Sequence, residues 1–210
     1  MSFMSRIAVL AAGAAIAVAA PAQAQSVQFT GFTNGCFGAA CVPGTASAAS
    51  TVVNQGLTYA NSSFNLFTSA GFASVGNTPA SPNVNNLGSF ALSGAPATYT
   101  NNPFSLRVNF TSPTNTSQLF TATLTGNVTS LANGGVFVDF NNTPQTFNYT
   151  GGSFSFAVND LSVVPGGIVA VSGNITAAMS STVVPEPSTY VLMAAGLAGL
   201  GLVARRRRTV

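Results

Sequence analysis

The sequence predicts an all-β fold, a single antiparallel β-sandwich of the jelly-roll or immunoglobulin-like type. Apolar and polar residues alternate along several central stretches, which is the pattern of a strand with one buried face. Segments rich in Gly, Asn and Pro separate these stretches, as expected for turns. The intervals between them are also too short for the crossover helices that parallel strands require.

The clearest strands lie in the second half of the chain, where apolar residues recur at every second position. These four are Phe104–Phe110, Phe120–Thr129, Ser153–Asn159 and Val169–Ile175. Shorter strands are predicted at Val27–Phe32, Thr58–Thr68, Leu87–Leu92, Val136–Phe140 and Gln145–Tyr149. Turns are predicted at Asn133–Gly135, Asn141–Pro144, Thr150–Gly152 and Pro165–Gly167, with long loops at Ala39–Thr51 and Asn77–Asn86.

The N-terminus has the layout of a secretory signal peptide. Arg6 precedes the apolar run Ile7–Ala20, and Ala22 and Ala24 then form an Ala-x-Ala cleavage site. The sequence therefore predicts that the secretion machinery exports the chain and that signal peptidase cuts after Ala24. The ectodomain then spans residues 25–184, a length that suits one domain.

The C-terminus combines a proline motif, an apolar segment and a basic cluster. In Val184-Pro185-Glu186-Pro187 the two prolines fix φ and remove backbone donors, so this peptide is extended. The uncharged run Tyr190–Ala204 predicts a short transmembrane helix. The four arginines Arg205, Arg206, Arg207 and Arg208 predict a cytoplasmic stop by the positive-inside rule.

This tail, residues 185–210 together with Val184, resembles the PEP-CTERM sorting signal of Gram-negative bacteria. Substrates with that signal are processed by exosortases, which are membrane cysteine proteases. The resemblance implies an inner-membrane precursor, cleavage near Pro185 to Pro187, and delivery to the cell surface or to an extracellular polysaccharide matrix. A plain single-span anchor with a proline-rich stalk is the alternative interpretation.

The predicted ectodomain is almost free of charge. Arg107, Asp139 and Asp160 are its only charged side chains, one arginine against two aspartates, so its formal net charge is −1. This excludes a basic patch that binds nucleic acid. Cys36 and Cys41 predict a disulfide because an exported chain with an even cysteine count oxidises; a metal or redox pair would need further ligands or a Cys-x-x-Cys spacing.

The chemical inventory favours a structural or interaction protein over an enzyme. The chain has no histidine and no lysine, so it contains no Ser-His-Asp, Cys-His or Ser-Lys arrangement and no histidine metal site, and no cofactor is predicted. The first hypothesis is a non-enzymatic surface or biofilm-matrix protein. The alternative is a lectin-like module that recognises exopolysaccharide through Tyr59, Tyr99 or Tyr149. The buried-face phenylalanines are assigned to the core, and sixteen Phe with no Trp argue against a sugar-binding aromatic platform. A remote alternative is a glycoside hydrolase that uses Asp139 and Asp160.

Overall fold

The computed structural model describes residues 26–47, 50–76, 84–179 and 193–199. The first three ranges hold fourteen strands, which lie in one compact unit, Ala24–Ser180. In chain order they are β1 (Gln28–Phe37), β2 (Thr51–Asn54), β3 (Leu57–Ala60), β4 (Ser63–Phe67), β5 (Phe72–Val75), β6 (Ser89–Leu92), β7 (Ala97–Ser112), β8 (Thr116–Ser130), β9 (Asn133–Phe140), β10 (Gln145–Tyr149), β11 (Gly152–Val158), β12 (Leu161–Val163), β13 (Ile168–Ala170) and β14 (Gly173–Met179).

The strands form three sheets in which every pairing is antiparallel. A six-stranded sheet has the order β12-β9-β8-β7-β1-β4. Two four-stranded sheets have the orders β10-β11-β14-β5 and β13-β6-β3-β2. The long strands β7 and β8 lie at the centre of the large sheet and are joined by one short connection, so the large sheet is built around a hairpin.

One face of the six-stranded sheet packs against both smaller sheets. Phe110 of β7 meets Phe154 of β11 with ring centroids 5.0 Å apart, and Phe29 of β1 meets the same ring at 4.9 Å. Nearer the start of β7, the ring centroid of Phe104 lies 5.0 Å from those of both Phe90 of β6 and Tyr59 of β3. Aromatic pairs of this kind add about 0.5–1.5 kcal/mol each beyond their buried area. The core is therefore one continuous hydrophobic layer between the large sheet and the two small ones, with one cluster of aromatic rings facing each small sheet.

Three of the four period-two strands are confirmed, as β7, β8 and β11. Phe104, Leu106, Val108 and Phe110 are buried and alternate with half-buried or polar residues. The fold is all-β and antiparallel as predicted, while the jelly-roll or immunoglobulin-like type remains a prediction.

Several boundaries differ from those predicted. Thr58–Thr68 contains two strands, β3 and β4, and Val169–Ile175 is divided between β13 and β14; in each case the two strands belong to different sheets. The turn predicted at Asn133–Gly135 is wrong, because these residues begin β9 and the chain reverses at Leu131 and Ala132. Strands β2, β5 and β12 have no predicted counterpart.

The C-terminal region contributes a short helix over residues 193–199, within the predicted membrane segment. The rest of that segment, and residues 77–83 of the predicted second loop, lie outside the described residues. Among the described residues, no helix has the length and apolar character needed to cross a membrane.

Candidate functional site

The predicted processing sites lie outside the described residues. This holds for Ala22 and Ala24 at the N-terminus, for Val184, Pro185, Glu186 and Pro187, and for the cluster Arg205 to Arg208. The candidate residues that the structure describes all lie in the compact unit Ala24–Ser180, here called the β-rich unit.

The predicted disulfide between Cys36 and Cys41 is confirmed. The two Cα atoms are 6.0 Å apart, and the bond closes a tight turn at the end of β1. Gly38 makes the turn with φ of +109°, a conformation that glycine adopts without steric strain. The Gly38 N–H donates to the Pro103 carbonyl (2.9 Å), and the Cys41 N–H donates to the Gly38 carbonyl (3.2 Å). Both sulfur atoms are therefore used to stabilise a turn and neither is a free thiol.

Arg107, the sole cation of the predicted ectodomain, also has structural partners. Its Nε donates to the carbonyl of Pro43 (3.0 Å) and its Nη1 to the hydroxyl of Ser117 (3.4 Å). Asn34 supports the same loop, because its Nδ2 donates to the carbonyls of Gly44 (2.9 Å) and Ala46 (3.1 Å). These bonds fasten the loop after the disulfide to the outward face of the large sheet.

Burial removes two of the three tyrosines predicted as sugar-stacking candidates. Tyr59 is 0% exposed and its hydroxyl donates to the Leu87 carbonyl at 2.7 Å. Tyr99 is 3% exposed and its hydroxyl donates to the Gln55 carbonyl at 2.6 Å. Burial raises the pKa of both phenols because a phenolate is poorly solvated there. Neither ring is accessible to a ligand.

Tyr149 is half-buried at the end of β10. It lines a cleft of about 290 Å³ together with Gln28, Ser112 and Pro113. Its hydroxyl oxygen is shielded from solvent and has no hydrogen-bond partner among the described residues. The shielded oxygen is not available to a sugar, so only stacking on the half-buried ring remains for this residue.

Asp160 lies next to β9, the strand that carries Asp139, which the sequence alone did not require. It immediately precedes β12, whose first residue Leu161 pairs with Val138 of β9. Asp160 supports the backbone, because its Oδ1 accepts hydrogen bonds from the Phe140 N–H (2.8 Å) and from Asn142 Nδ2 (3.2 Å). In the ranges that the structure describes, no group of three or more His, Cys, Asp or Glu side chains is placed to hold a metal ion.

One exposed aromatic residue, Phe137, was missed by sequence reasoning. In β9 the buried residues are Val136, Val138 and Phe140, so Phe137 points to the opposite, outward face and is 42% exposed. Thr125 of β8 and Ser162 of β12 are its direct cross-strand neighbours. A large apolar residue at a polar position of a predicted strand was the signal that could have identified it.

Comparison with known proteins gives one finding, at the C-terminus. Residues 183–208 match the family model described as the PEP-CTERM protein-sorting motif. The chain carries a PEP-CTERM sorting motif. No curated protein and no solved structure matches the chain.

The PEP-CTERM motif confirms the resemblance found in the sequence and covers Val184 through Arg208. It implies that the chain is exported and is processed by an exosortase at the membrane. Because the PEP-CTERM motif lies outside the β-rich unit, it identifies how the protein is sorted and carries no information on what the strands bind.

Proposed function

We propose that this is a non-enzymatic surface or extracellular-matrix protein, associated with a biofilm or exopolysaccharide, whose inner-membrane precursor is sorted and cleaved by an exosortase at the C-terminal signal. The sorting motif at residues 183–208 carries this proposal. In this pathway signal peptidase cuts after Ala24, the segment Tyr190–Ala204 holds the precursor in the membrane, and Arg205 to Arg208 stay in the cytoplasm. The protease then binds the extended peptide Val184 to Pro187. The prolines prevent this peptide from forming a helix or a central strand of a sheet.

The contacts of the β-rich unit support a non-enzymatic role. Arg107 holds a loop, Asp160 caps the end of β9, and both cysteines form a disulfide. Among the described residues, the charged side chains other than Asp139 and both thiols therefore help to hold the fold. The β-sandwich ectodomain serves as an adhesin or matrix component. The glycosidase alternative would need both carboxylates available to substrate, but one oxygen of Asp160 already accepts two hydrogen bonds.

A lectin-like role is the second candidate function, and one observation favours it. Phe137 is an exposed aromatic ring on a sheet face that also carries hydroxyl groups. This role is compatible with the first, since a protein delivered to a polysaccharide matrix meets polysaccharide.

The proposal is tested by changing the motif in the full-length chain in its own host. In the variant Pro185→Ala/Pro187→Ala we expect uncleaved precursor to accumulate in the inner membrane, because the extended recognition peptide is lost. Pro144→Ala, in an exposed loop of the β-rich unit, is the matched proline control and should be sorted normally. If the motif variant reaches the surface at the same size as the wild-type protein, exosortase processing at this peptide is disproved.

A further inference from the structure

The outward face of β8, β9 and β12 combines an exposed ring, hydroxyl groups and a carboxylate. We propose that this face binds a sugar residue of a neutral polysaccharide, with Phe137 as the stacking platform. Its residues are Thr125, Phe137, Asp139, Ser162 and Val164, here called the Phe137 face. The proposal deepens the lectin-like role and so rests on the proposed function in one respect, that the protein meets polysaccharide.

The side chain of Phe137 is partly exposed, and no side chain covers it on the Gly135 side. It is 42% exposed, and the next outward position along β9 is Gly135, which has no side chain to cover the ring. A Cβ atom on Gly135 would lie 3.1 Å from the Val163 carbonyl, so a side chain there would be crowded as well as obstructive. An uncovered aromatic face is what the C–H groups of a pyranose ring pack against, since the face of the ring carries partial negative charge.

Polar groups surround the ring on three sides. The β8–β9 ladder pairs Phe137 with Thr125, and the β9–β12 ladder pairs Phe137 with Ser162. Asp139 is the next outward residue along β9 and is exposed, with Thr123 as its cross-strand neighbour. Hydroxyl groups donate and accept hydrogen bonds and a carboxylate accepts them, so together they can satisfy the hydroxyl groups of a stacked sugar.

A cleft beside the ring provides space for such a ligand. It has a volume of about 380 Å³ and is lined by Thr125, Gly126, Phe137, Ser162 and Val164. Ligand pockets typically measure roughly 300–1,000 Å³ and combine apolar walls with a few placed polar groups. The cleft is thus at the small end of that range, which suits one or two sugar rings of a longer chain that continues across the face.

The charge of the face selects the class of polysaccharide. Asp139 and Asp160 are acidic, while Arg107, the only cation among the described residues, is bonded to the loop carbonyl of Pro43. An anionic polymer would be repelled by the aspartates and would find no cation to bind. A neutral glycan is therefore the ligand that fits.

The test is affinity electrophoresis of the purified full-length chain through gels that contain polysaccharide. The probes are a neutral β-glucan, a galactomannan and the total matrix polysaccharide extracted from the producing cells. We expect at least one of these gels to retard the wild-type protein. Phe137→Ala should weaken the retardation roughly tenfold because stacking is lost, whereas Phe137→Tyr should preserve it. Phe72→Ala, which removes a 51% exposed ring from β5 in another sheet, is the matched control and should bind like the wild type.

Two outcomes overturn the proposal. The first is the absence of retardation in all three gels. The second is equal retardation of the wild type and Phe137→Ala; if this variant also loses self-association in sedimentation experiments, the face is a contact between copies. Failure of exosortase processing would leave both measurements unaffected, because they use purified protein regardless of its C-terminus.

Discussion

The hydroxyl group of Tyr59 donates a hydrogen bond of 2.7 Å to the backbone carbonyl of Leu87, in a part of the core that excludes water. The same hydroxyl lies 3.0 Å from the Thr33 hydroxyl. One phenol thus connects β3 with β1 and with the segment that leads into β6. A residue that the sequence offered as a ligand contact is instead a polar link inside the core.

Removing this hydroxyl should destabilise the protein. Tyr59→Phe leaves the Leu87 carbonyl without its donor, and an unsatisfied buried acceptor costs about 1–3 kcal/mol. We expect the free energy of unfolding in urea to fall by that amount. Tyr149→Phe is the matched control, because the Tyr149 hydroxyl has no partner among the described residues, and it should be neutral. Equal losses in the two variants would disprove the role assigned to the Tyr59–Leu87 bond.

The buried tyrosines also predict how stability depends on pH at the alkaline end. Burial raises the pKa of Tyr59 and Tyr99 above the ordinary value of 10.0 in the folded state only. The contribution of these tyrosines to the free energy of unfolding is therefore complete below pH 10. It is lost as the pH rises further because the unfolded chain releases these protons first. For a fully buried phenol such as Tyr59 the expected slope is about 1.4 kcal/mol per pH unit. Urea unfolding at pH 9, 10 and 11 should show this decline, with a shallower slope for Tyr59→Phe; identical slopes would refute it.

Alanine substitutions at Gly38 and Gly88 should distinguish the stability cost of backbone strain from the cost of overpacking. Gly88 has φ of +103° and a Cβ atom there would overlap the ring of Tyr59, whereas Gly38 has φ of +109° and open space around the same position. Gly38→Ala should lose about 1 kcal/mol from the strained φ alone. Gly88→Ala should lose at least about 2 kcal/mol more, because the core cannot accommodate the extra methyl group. Thermal unfolding of both variants measures the difference, and a Gly88→Ala variant as stable as Gly38→Ala would contradict the packing described around Tyr59.

The two aspartates should differ in their effect on folding. Asp160→Ala removes the acceptor of the Phe140 N–H and of Asn142, a loss of about 1–2 kcal/mol. Asp139→Ala removes an exposed side chain and should change stability by less than about 0.5 kcal/mol. Chemical denaturation distinguishes these values, and a larger loss for Asp139→Ala would reverse the roles given to the pair.

The sequence predicted the elements that have a strong local period and failed where pairing is nonlocal. Phe104, Leu106, Val108 and Phe110 repeat at every second position, so the burial of one face of β7 followed from the pattern alone. The division of Thr58–Thr68 into β3 and β4 depends on partners far along the chain, since β3 pairs with β6 while β4 pairs with β1. Composition near the break gives no indication of which sheet each half joins.

The same distinction applies to the candidate site. The sorting motif is local in sequence, and the sequence was sufficient to find it. The Phe137 face was missed because only the tyrosines were considered as stacking residues, although the position of Phe137 in β9 already placed it outward. The placement of Asp160 next to β9, the strand that carries Asp139, depends on the pairing of β9 with β12, which no local pattern fixes.

Processing at the PEP-CTERM motif is best checked by the intact mass of the protein isolated from the surface fraction of its own host. We expect a mass that begins near Gln25 and ends near Pro185 to Pro187, with any group attached at the new C-terminus visible as an additional mass. A mass that retains Arg205 to Arg208 would contradict exosortase processing and would identify the protein as a tail-anchored membrane protein.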